Sequence, residues 1–503
     1  MKKKTDASYL TRRNFLGKTA CSTMALTGVV NTLAHLKLMQ SSLAQSGGGS
    51  DYKALVVLFL FGGNDSNNTL IPRLGHPEYQ NYLDGRGVLG IADENDPNFD
   101  PAGSNAGSSI ALNGTALPYG VHPNMQPLAD LFNNGQLSFV TNVGTLSFPV
   151  TRTDYLDSSK QYLLPPQLFS HSDQQIQWQS SIPDQPFRTG WGGRVADLLA
   201  GSHSGSSVSL SVSLAGINSL QVGNSTSQYA VTSNGAVSLA GYGTNYANAI
   251  DGNGDYTTND NGKRLKAFDD INAMVHEHLL EQGYNDVVKT ARDNEGIIGN
   301  AITASNESAI DAAFTAANAT SGTANQLKMI AKLISGRSAL GNSRQIFFCS
   351  MGGFDTHQEQ IGAHGTLMSD LATSLAGFNS ALQAVGDNDK VLTISHSDFT
   401  RTLTPNGTDI NGSGSDHGWG GHQIVMGGPV AGGSVFGTFP QLLVNDGIDA
   451  GTTRGRWIPS TSVDQYSAVA ANWLGVSELG TIFPNLGRFE DPLSVSSNVN
   501  YVV

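Results

Sequence analysis

Residues 52–65 read YKALVVLFLFGGND, and this stretch decides the fold. From Tyr52 to Phe61 it is almost continuously apolar, rich in β-branched and aromatic side chains, and it stops at two glycines. A half-buried strand would alternate apolar with polar, so this run predicts a central strand covered on both faces. Two further runs repeat its character: RQIFFCSMGG from Arg344 and KVLTISHSDF from Lys390. Between them lies the amphipathic stretch HGTLMSDLATSLAGFNSALQAVG, residues 364–386. Strand, helix and strand at this spacing form a βαβ unit, which requires parallel pairing. HQIVMGGPVAGG, from His422, adds another strand, and residues 122–144 predict a helix, a turn at Asn134-Gly135 and a strand from Leu137 to Val143. The expected fold is a single α/β domain with a largely parallel central sheet flanked by helices.

Composition narrows the function classes. The chain has 503 residues, with 28 Lys+Arg against 41 Asp+Glu, a formal charge of −13. That balance argues against a nucleic-acid partner, while a small anionic substrate needs positive charge gathered in one pocket. The 59 glycines point to a loop-rich protein. Residues from about 84 to 120 are polar and read as a surface insertion. From about 200 to 260 the chain turns to Ser, Gly, Asn and Thr, with alternation at Val208, Leu210, Val212 and Leu214, and predicts a β-rich insertion or cap. Within it DGNGD, Asp251 to Asp255, starts like a calcium loop but has Tyr256 and Gly262 where that loop needs Gly and Glu, so a solvated turn is expected.

The first 44 residues read as a targeting segment rather than as part of the fold. Arg12 and Arg13, followed by Asn14, Phe15 and Leu16, resemble a twin-arginine export signal, and Ser42-Leu43-Ala44 offers a small-residue cleavage site. The twin-arginine export machinery is therefore an expected partner, and a periplasmic or secreted location the expected destination. Removing seven basic residues (Lys2, Lys3, Lys4, Arg12, Arg13, Lys18, Lys37) and Asp6 leaves 21 basic against 40 acidic residues, a charge of −19. Cys21 leaves with the segment, so Cys349 stands alone and is expected to be a buried structural thiol in IFFCS. No later run has the ~18 apolar residues that a membrane span needs.

Polar residues gather after the ends of the expected strands, where open α/β sheets place their ligands. Asp65 follows the first strand, Asp355 and His357 follow the second in GGFDTH, and Asp398 follows the third, with Arg401 three residues on. Asp416, His417 and His422 lie in SDHGWGGH, and Ser170 with His171 in LFSHSDQQIQW. Carboxylate plus imidazole suits zinc, with manganese or calcium as alternatives, and the number of such side chains is enough for one or two ions. Two ions could clamp the attacking and leaving oxygens of a phosphoryl or sulfuryl transfer. Arg401 is a candidate clamp for a tetrahedral anion, because guanidinium forks match phosphate and sulfate. Trp191, Trp457 and Trp473 are expected in the core.

The motifs GGNDSNNTLIP, LFSHSDQQIQWQ, TGWGGR, GGFDTHQEQ, DFTRT, SDHGWGGHQIVMGGPVAGG and RWIPSTSVDQYSAVAANWLGV occur in order from about residue 52 to 490. Together they resemble the family named domain of unknown function 1501, which is similar to the alkaline phosphatase and sulfatase superfamily. The resemblance implies an alkaline-phosphatase-like core and a bimetal hydrolase of phosphate or sulfate esters. It implies Asp65 as ligand of one ion, and Asp355 with His357 as ligands of the other. For the remaining ligands two registers stand open. In one, Asp416 and His417 form the Asp-His pair, although they precede a strand; in the other Asp398 takes the Asp role, Phe399 replaces the His, and His417 or His422 is the last ligand. The family's Ser-His motif implies Ser170 as nucleophile with His171 beside it, while Ser66 and Thr69 are nearer to Asp65 in sequence. The rival reading is a non-catalytic exported binding or assembly protein that keeps the fold and holds one structural ion.

Overall fold

The structure, a computed structural model, describes residues 52–100, 107–200, 208–236, 248–251, 255–274, 279–451 and 453–503. The first 44 residues, where an export signal is expected, lie outside the described residues with Cys21, as does the middle of DGNGD. Among the described residues no helix is long and apolar enough to cross a membrane.

Thirteen strands are described: β1 (Lys53–Leu60), β2 (Leu70–Pro72), β3 (Ile110–Ala111), β4 (Tyr119–Val121), β5 (Leu137–Gly144), β6 (Ser211–Ser213), β7 (Tyr229–Thr232), β8 (Gly235–Ala236), β9 (Arg344–Met351), β10 (Val391–Ser397), β11 (Gly421–Met426), β12 (Val435–Phe436) and β13 (Thr461–Ser462). The main sheet runs β12-β5-β11-β10-β1-β9-β6-β7-β8, with β13 also on β5, and β2-β4-β3 form a small antiparallel sheet. The strand β1 sits between β10 and β9, parallel to both. The sheet is thus a mixed, mostly parallel one flanked by helices.

Burial explains why β1 has no polar face. Ala54, Val56, Leu58 and Leu60 enter one apolar layer with Leu327 and Ile330 of the helix Gly322–Ser335 and Leu371, Leu375 and Phe378 of the helix Gln360–Ala384. Leu55, Val57 and Phe59 enter the opposite layer with Trp178, Trp191 and Tyr466, from the helices His171–Ser180, Trp191–Leu199 and Val463–Leu474. Successive side chains on a strand point to opposite faces, so a strand covered on both sides must be apolar at every position. Cys349, Trp191, Trp457 and Trp473 are all buried.

Strand direction gathers the functional loops. Leu60 is level with both Met351 and Ser397, so β1, β9 and β10 end on one edge. β11 pairs antiparallel with β10, with Ile394 opposite Val425. Its beginning therefore lies at the same edge as the ends of its parallel neighbours. Asp416 and His417 precede a strand and still reach the loops that follow the others.

Two sequence expectations change here. The region from 200 to 260 is no separate cap in its described part: β6 pairs parallel with β9 and β7 with β6, extending the central sheet. The stretch from 84 to 120 is not wholly surface either. Arg86, at the end of the helix Tyr79–Arg86, is fully buried, and β3 and β4 pair with each other.

Candidate metal centre

The loop after β1 turns sharply and lies directly on its neighbours. Gly62 has φ +111°, and a Cβ there would stand 2.5 Å from the Asp355 nitrogen. Gly63 has φ +83°, and a Cβ there would stand 2.5 Å from the Phe399 ring. Only glycine tolerates both the dihedral and the approach. This contact brings the loop after β9, which carries Asp355 and His357, against the loop after β10, which carries Asp398 and Phe399.

On this platform a carboxylate meets three imidazoles. Asp355 Oδ1 lies 3.1 Å from His357 Nε2, 3.3 Å from His171 Nε2 and 3.5 Å from His417 Nε2. His357 Nε2 and His417 Nε2 are 2.9 Å apart. The ligand atoms of His171, Asp355 and His417 all lie within 4.8 Å of one another. Around a zinc ion with bonds of about 2.0–2.1 Å, tetrahedral ligand atoms stand about 3.3–3.4 Å apart. The three separations from Asp355 Oδ1 bracket that value.

The outer nitrogen of each ring is also engaged. His171 Nδ1 is 2.7 Å from Asp398 Oδ2, His417 Nδ1 is 2.7 Å from the Phe169 carbonyl, and His357 Nδ1 is 3.5 Å from Asp416 Oδ1. A carbonyl can only accept, so His417 Nδ1 donates, and the Nε2 of the neutral ring presents a lone pair to the cluster. His171 Nε2 is buried and has no hydrogen-bond partner. Outer nitrogens fixed by carboxylate or carbonyl, with inner lone pairs converging, are the second layer that metal-bound histidines have. The donor set fits one divalent ion. Phe399 buttresses the rings, stacking on His417 with centroids 4.5 Å apart and lying 4.8 Å from His171.

The electrostatics are those of an open, mixed-charge pocket. The side chains of Asp355, His357, His171 and His417 are 51%, 41%, 30% and 22% exposed, so solvent reaches them. Hydrogen bonding to Asp398 raises the His171 pKa above the ordinary histidine value. Burial lowers that of His417, against the opposing pull of the Phe169 carbonyl. For Asp355, burial alone would raise the pKa, but Arg401 and the neighbouring imidazoles outweigh it and hold the carboxyl below its ordinary value.

The other residues anticipated from sequence lie around this cluster. Asp398 is fully buried and accepts from Gln175 Nε2 at 2.9 Å as well as holding His171, so it supports a ring. Asp416 bridges His357 to Arg454, whose Nη1 is 2.8 Å away. Asp65 is held elsewhere: Arg86 and Gln360 both donate to its Oδ2, and its Oδ1 is buried without a partner. His422 lies within β11, where its Nδ1 accepts from the Asn142 N–H at 3.2 Å and its ring stacks on Phe439. Ser170 is the N-cap of His171–Ser180, yet its hydroxyl donates to Asp173 Oδ2 at 2.5 Å and caps no backbone nitrogen. Of the two open registers, the geometry selects neither whole: His417 joins the cluster, while Asp398 and Asp416 stand behind histidines.

Arg401 departs from the anion clamp anticipated for it. Its guanidinium donates to the carbonyls of Gly63, Ser415, Gly62 and Phe354 and to Asp355 Oδ1. It is a strap that ties three loops together and holds Asp355 in place, with its donors spent. Sequence reasoning missed Arg86, Gln175, Gln360, Phe169, Arg454 and Arg456 around the site. Phe169, Gln175, Gln360 and Arg456 did lie inside quoted motifs, whereas Arg86 and Arg454 carried no local signal.

Comparison with known proteins gives one match. No curated protein and no solved structure matches the chain. Residues 52–449 match the family described as Protein of unknown function (DUF1501). That span covers the candidate metal centre and most of the sheet, and the chain belongs to this family.

Proposed function

We propose that the protein is an exported, metal-dependent hydrolase of phosphate or sulfate esters with an alkaline-phosphatase-like core. The observation that carries this reading is the convergence of His171 Nε2, His417 Nε2 and Asp355 Oδ1 within 4.8 Å of one another, with the outer nitrogens of both rings held at 2.7 Å. A divalent ion bound there would supply Lewis-acid stabilisation of the charge that develops on an ester's oxygens. His171, His417 and Asp355 would hold it, with His357 beside them and its Nε2 facing Arg401 Nη1 at 3.4 Å, zinc being the natural choice for this donor set. Asp398 keeps the His171 proton on Nδ1, and the Phe169 carbonyl does the same for His417. Ser170 is the nucleophile this reading assigns. Its proton already lies on a line to Asp173, whereas Ser66 and Thr69 are buried in bonds to Thr400 and to the Asp65 carbonyl. The superfamily resemblance and the twin-arginine motif support an exported esterase of this class.

The two-ion form of the mechanism is the less favoured one, because Asp65 is already neutralised by Arg86. That same ion pair favours a second reading, in which the fold holds one structural ion and binds without turnover. Purified protein loaded with zinc and assayed against aryl phosphates and aryl sulfates tests both. Turnover that Ser170→Ala and His417→Ala each abolish supports the hydrolase; stoichiometric zinc with no turnover of any ester selects the binding protein.

A further inference from the structure

Three arginines surround the cluster, and they differ in what their nitrogens are doing. Arg401 has spent its donors on carbonyls and Asp355. Arg454 is paired with Asp416. Arg456 donates through Nε to the His417 carbonyl at 2.7 Å, and its guanidinium lies 4.4 Å from the Phe169 ring centroid. Among the described residues no carboxylate lies in ion-pair contact with it. The nearby Asp449 carboxylate accepts main-chain N–H groups, from Arg456 itself at 2.9 Å and from Asn445 at 2.7 Å.

The platform under Arg456 is built under strain. Phe169 has φ +71°, a region that a side chain of this size rarely enters. Such outliers persist when the surroundings over-determine them, and they cluster at binding sites. Here the outlier places the Phe169 carbonyl on His417 Nδ1 and its ring beneath Arg456. One residue therefore orients both a histidine of the cluster and the neighbouring guanidinium. The guanidinium rests over the Phe169 ring and its Nε is occupied, so the two terminal nitrogens form a preset fork. A fork of this kind pairs bidentately with tetrahedral oxyanions, which a lysine cannot imitate.

We infer that Arg456, stacked on Phe169, binds the anionic group of the substrate, a role the sequence suggested for Arg401. The inference rests on the hydrolase reading only in making that anion the phosphate or sulfate of an ester. It places substrate specificity at Arg456, the first residue of the RWIPST motif, whose tryptophan packs in the core.

Calorimetric titration of the zinc-loaded protein with inorganic phosphate, inorganic sulfate and phenylphosphonate tests it, with metal content measured on each sample. Arg456→Gln is expected to weaken the tightest of these anions at least ~10-fold, the loss of a charge-assisted bidentate pair. Arg456→Lys keeps the charge but loses the fork, so it should recover only part of the affinity, and it decides the matter should Arg456→Gln not fold. Phe169→Leu should weaken binding about 2–5-fold, the worth of a cation–π contact. The ranking of phosphate against sulfate identifies the ester class. Undiminished anion binding in both Arg456 variants, or no binding of any of the three anions by wild type, overturns the inference. Arg456-dependent anion binding in a protein that takes up no metal would leave the inference standing and sink the metal-centre reading.

Discussion

Asp65 follows β1 and Asp355 follows β9, adjacent parallel strands of one sheet, yet the two carboxylates live in opposite surroundings. Asp65 is sealed, fully buried against Arg86 and Gln360. Asp355 is half exposed and looks onto three imidazole nitrogens. The difference is made by the segments that follow the two strands. The segment after β1 supplies its own cation, Arg86, whose Nη1 also ties the carbonyls of Thr402 and Leu403 at 3.0 Å each. Asp355 has a cation of its own, Arg401 on Oδ1, but its side chain stays half exposed and faces the histidines as well. A strand-end carboxylate becomes a structural knot or a candidate ligand according to which partner the loops deliver.

The largest expected effect tests the sealed half. Arg86→Met strands a fully buried Asp65 charge and should cost about 3–5 kcal/mol of stability in urea unfolding, with metal content of the folded fraction unchanged. Pairing it with Asp65→Asn should restore most of that loss, since replacing both partners removes the orphaned charge. If Arg86→Met instead changes metal uptake, the two regions are coupled and the comparison fails.

The open half is tested through its candidate ligands. Asp355→Ala and His417→Ala should each lower zinc affinity more than ~100-fold, beyond what an outer-layer partner contributes. Equilibrium dialysis reads this directly. Asp398→Asn keeps the size of the side chain but weakens the hold on His171, and should lower zinc affinity about 10–100-fold.

The smallest effect concerns histidines that the cluster does not use. His122, His364, His396 and His422 are buried, and burial lowers each pKa to about 3. His396 lies among Trp178, Trp191 and Tyr466, with neither ring nitrogen bonded. Between pH 6.5 and about 3 the unfolded chain protonates these rings while the native protein does not, so stability falls as pH falls. At pH 5.5, one unit below the ordinary histidine value, each such histidine costs about 1.4 kcal/mol of stability. His396→Phe should therefore match wild type at pH 7 and lose stability less steeply in urea melts below pH 6. An unchanged acid slope would mean that His396 is protonated in the folded protein.

How much of this was legible in the sequence depends on the range of the interaction. The unbroken apolar runs at Tyr52, Arg344 and Lys390 marked central strands because burial on both faces is a local requirement on every residue. His171, His357, His417 and Asp355 were legible as types at loop positions, since strand ends are where ligands collect. Their sorting into ligand and support was not. It depends on the antiparallel direction of β11, which brings the Asp416–His417 pair to the edge where the parallel strands end. Nor could spacing show that Arg86, in a polar stretch, turns inward to Asp65, or that Arg401 spends its donors on carbonyls. Those are contacts between segments some 20 to 340 residues apart, and nothing in a local pattern encodes the partner.

Anomalous scattering at the zinc edge, from crystals of protein purified without chelators, tests the central claim most directly. One peak per chain is predicted among His171, His357, His417 and Asp355, about 2.0–2.2 Å from His171 Nε2, His417 Nε2 and Asp355 Oδ1. A peak at Asp65, or zinc-loaded protein with no peak among these four side chains, would contradict it.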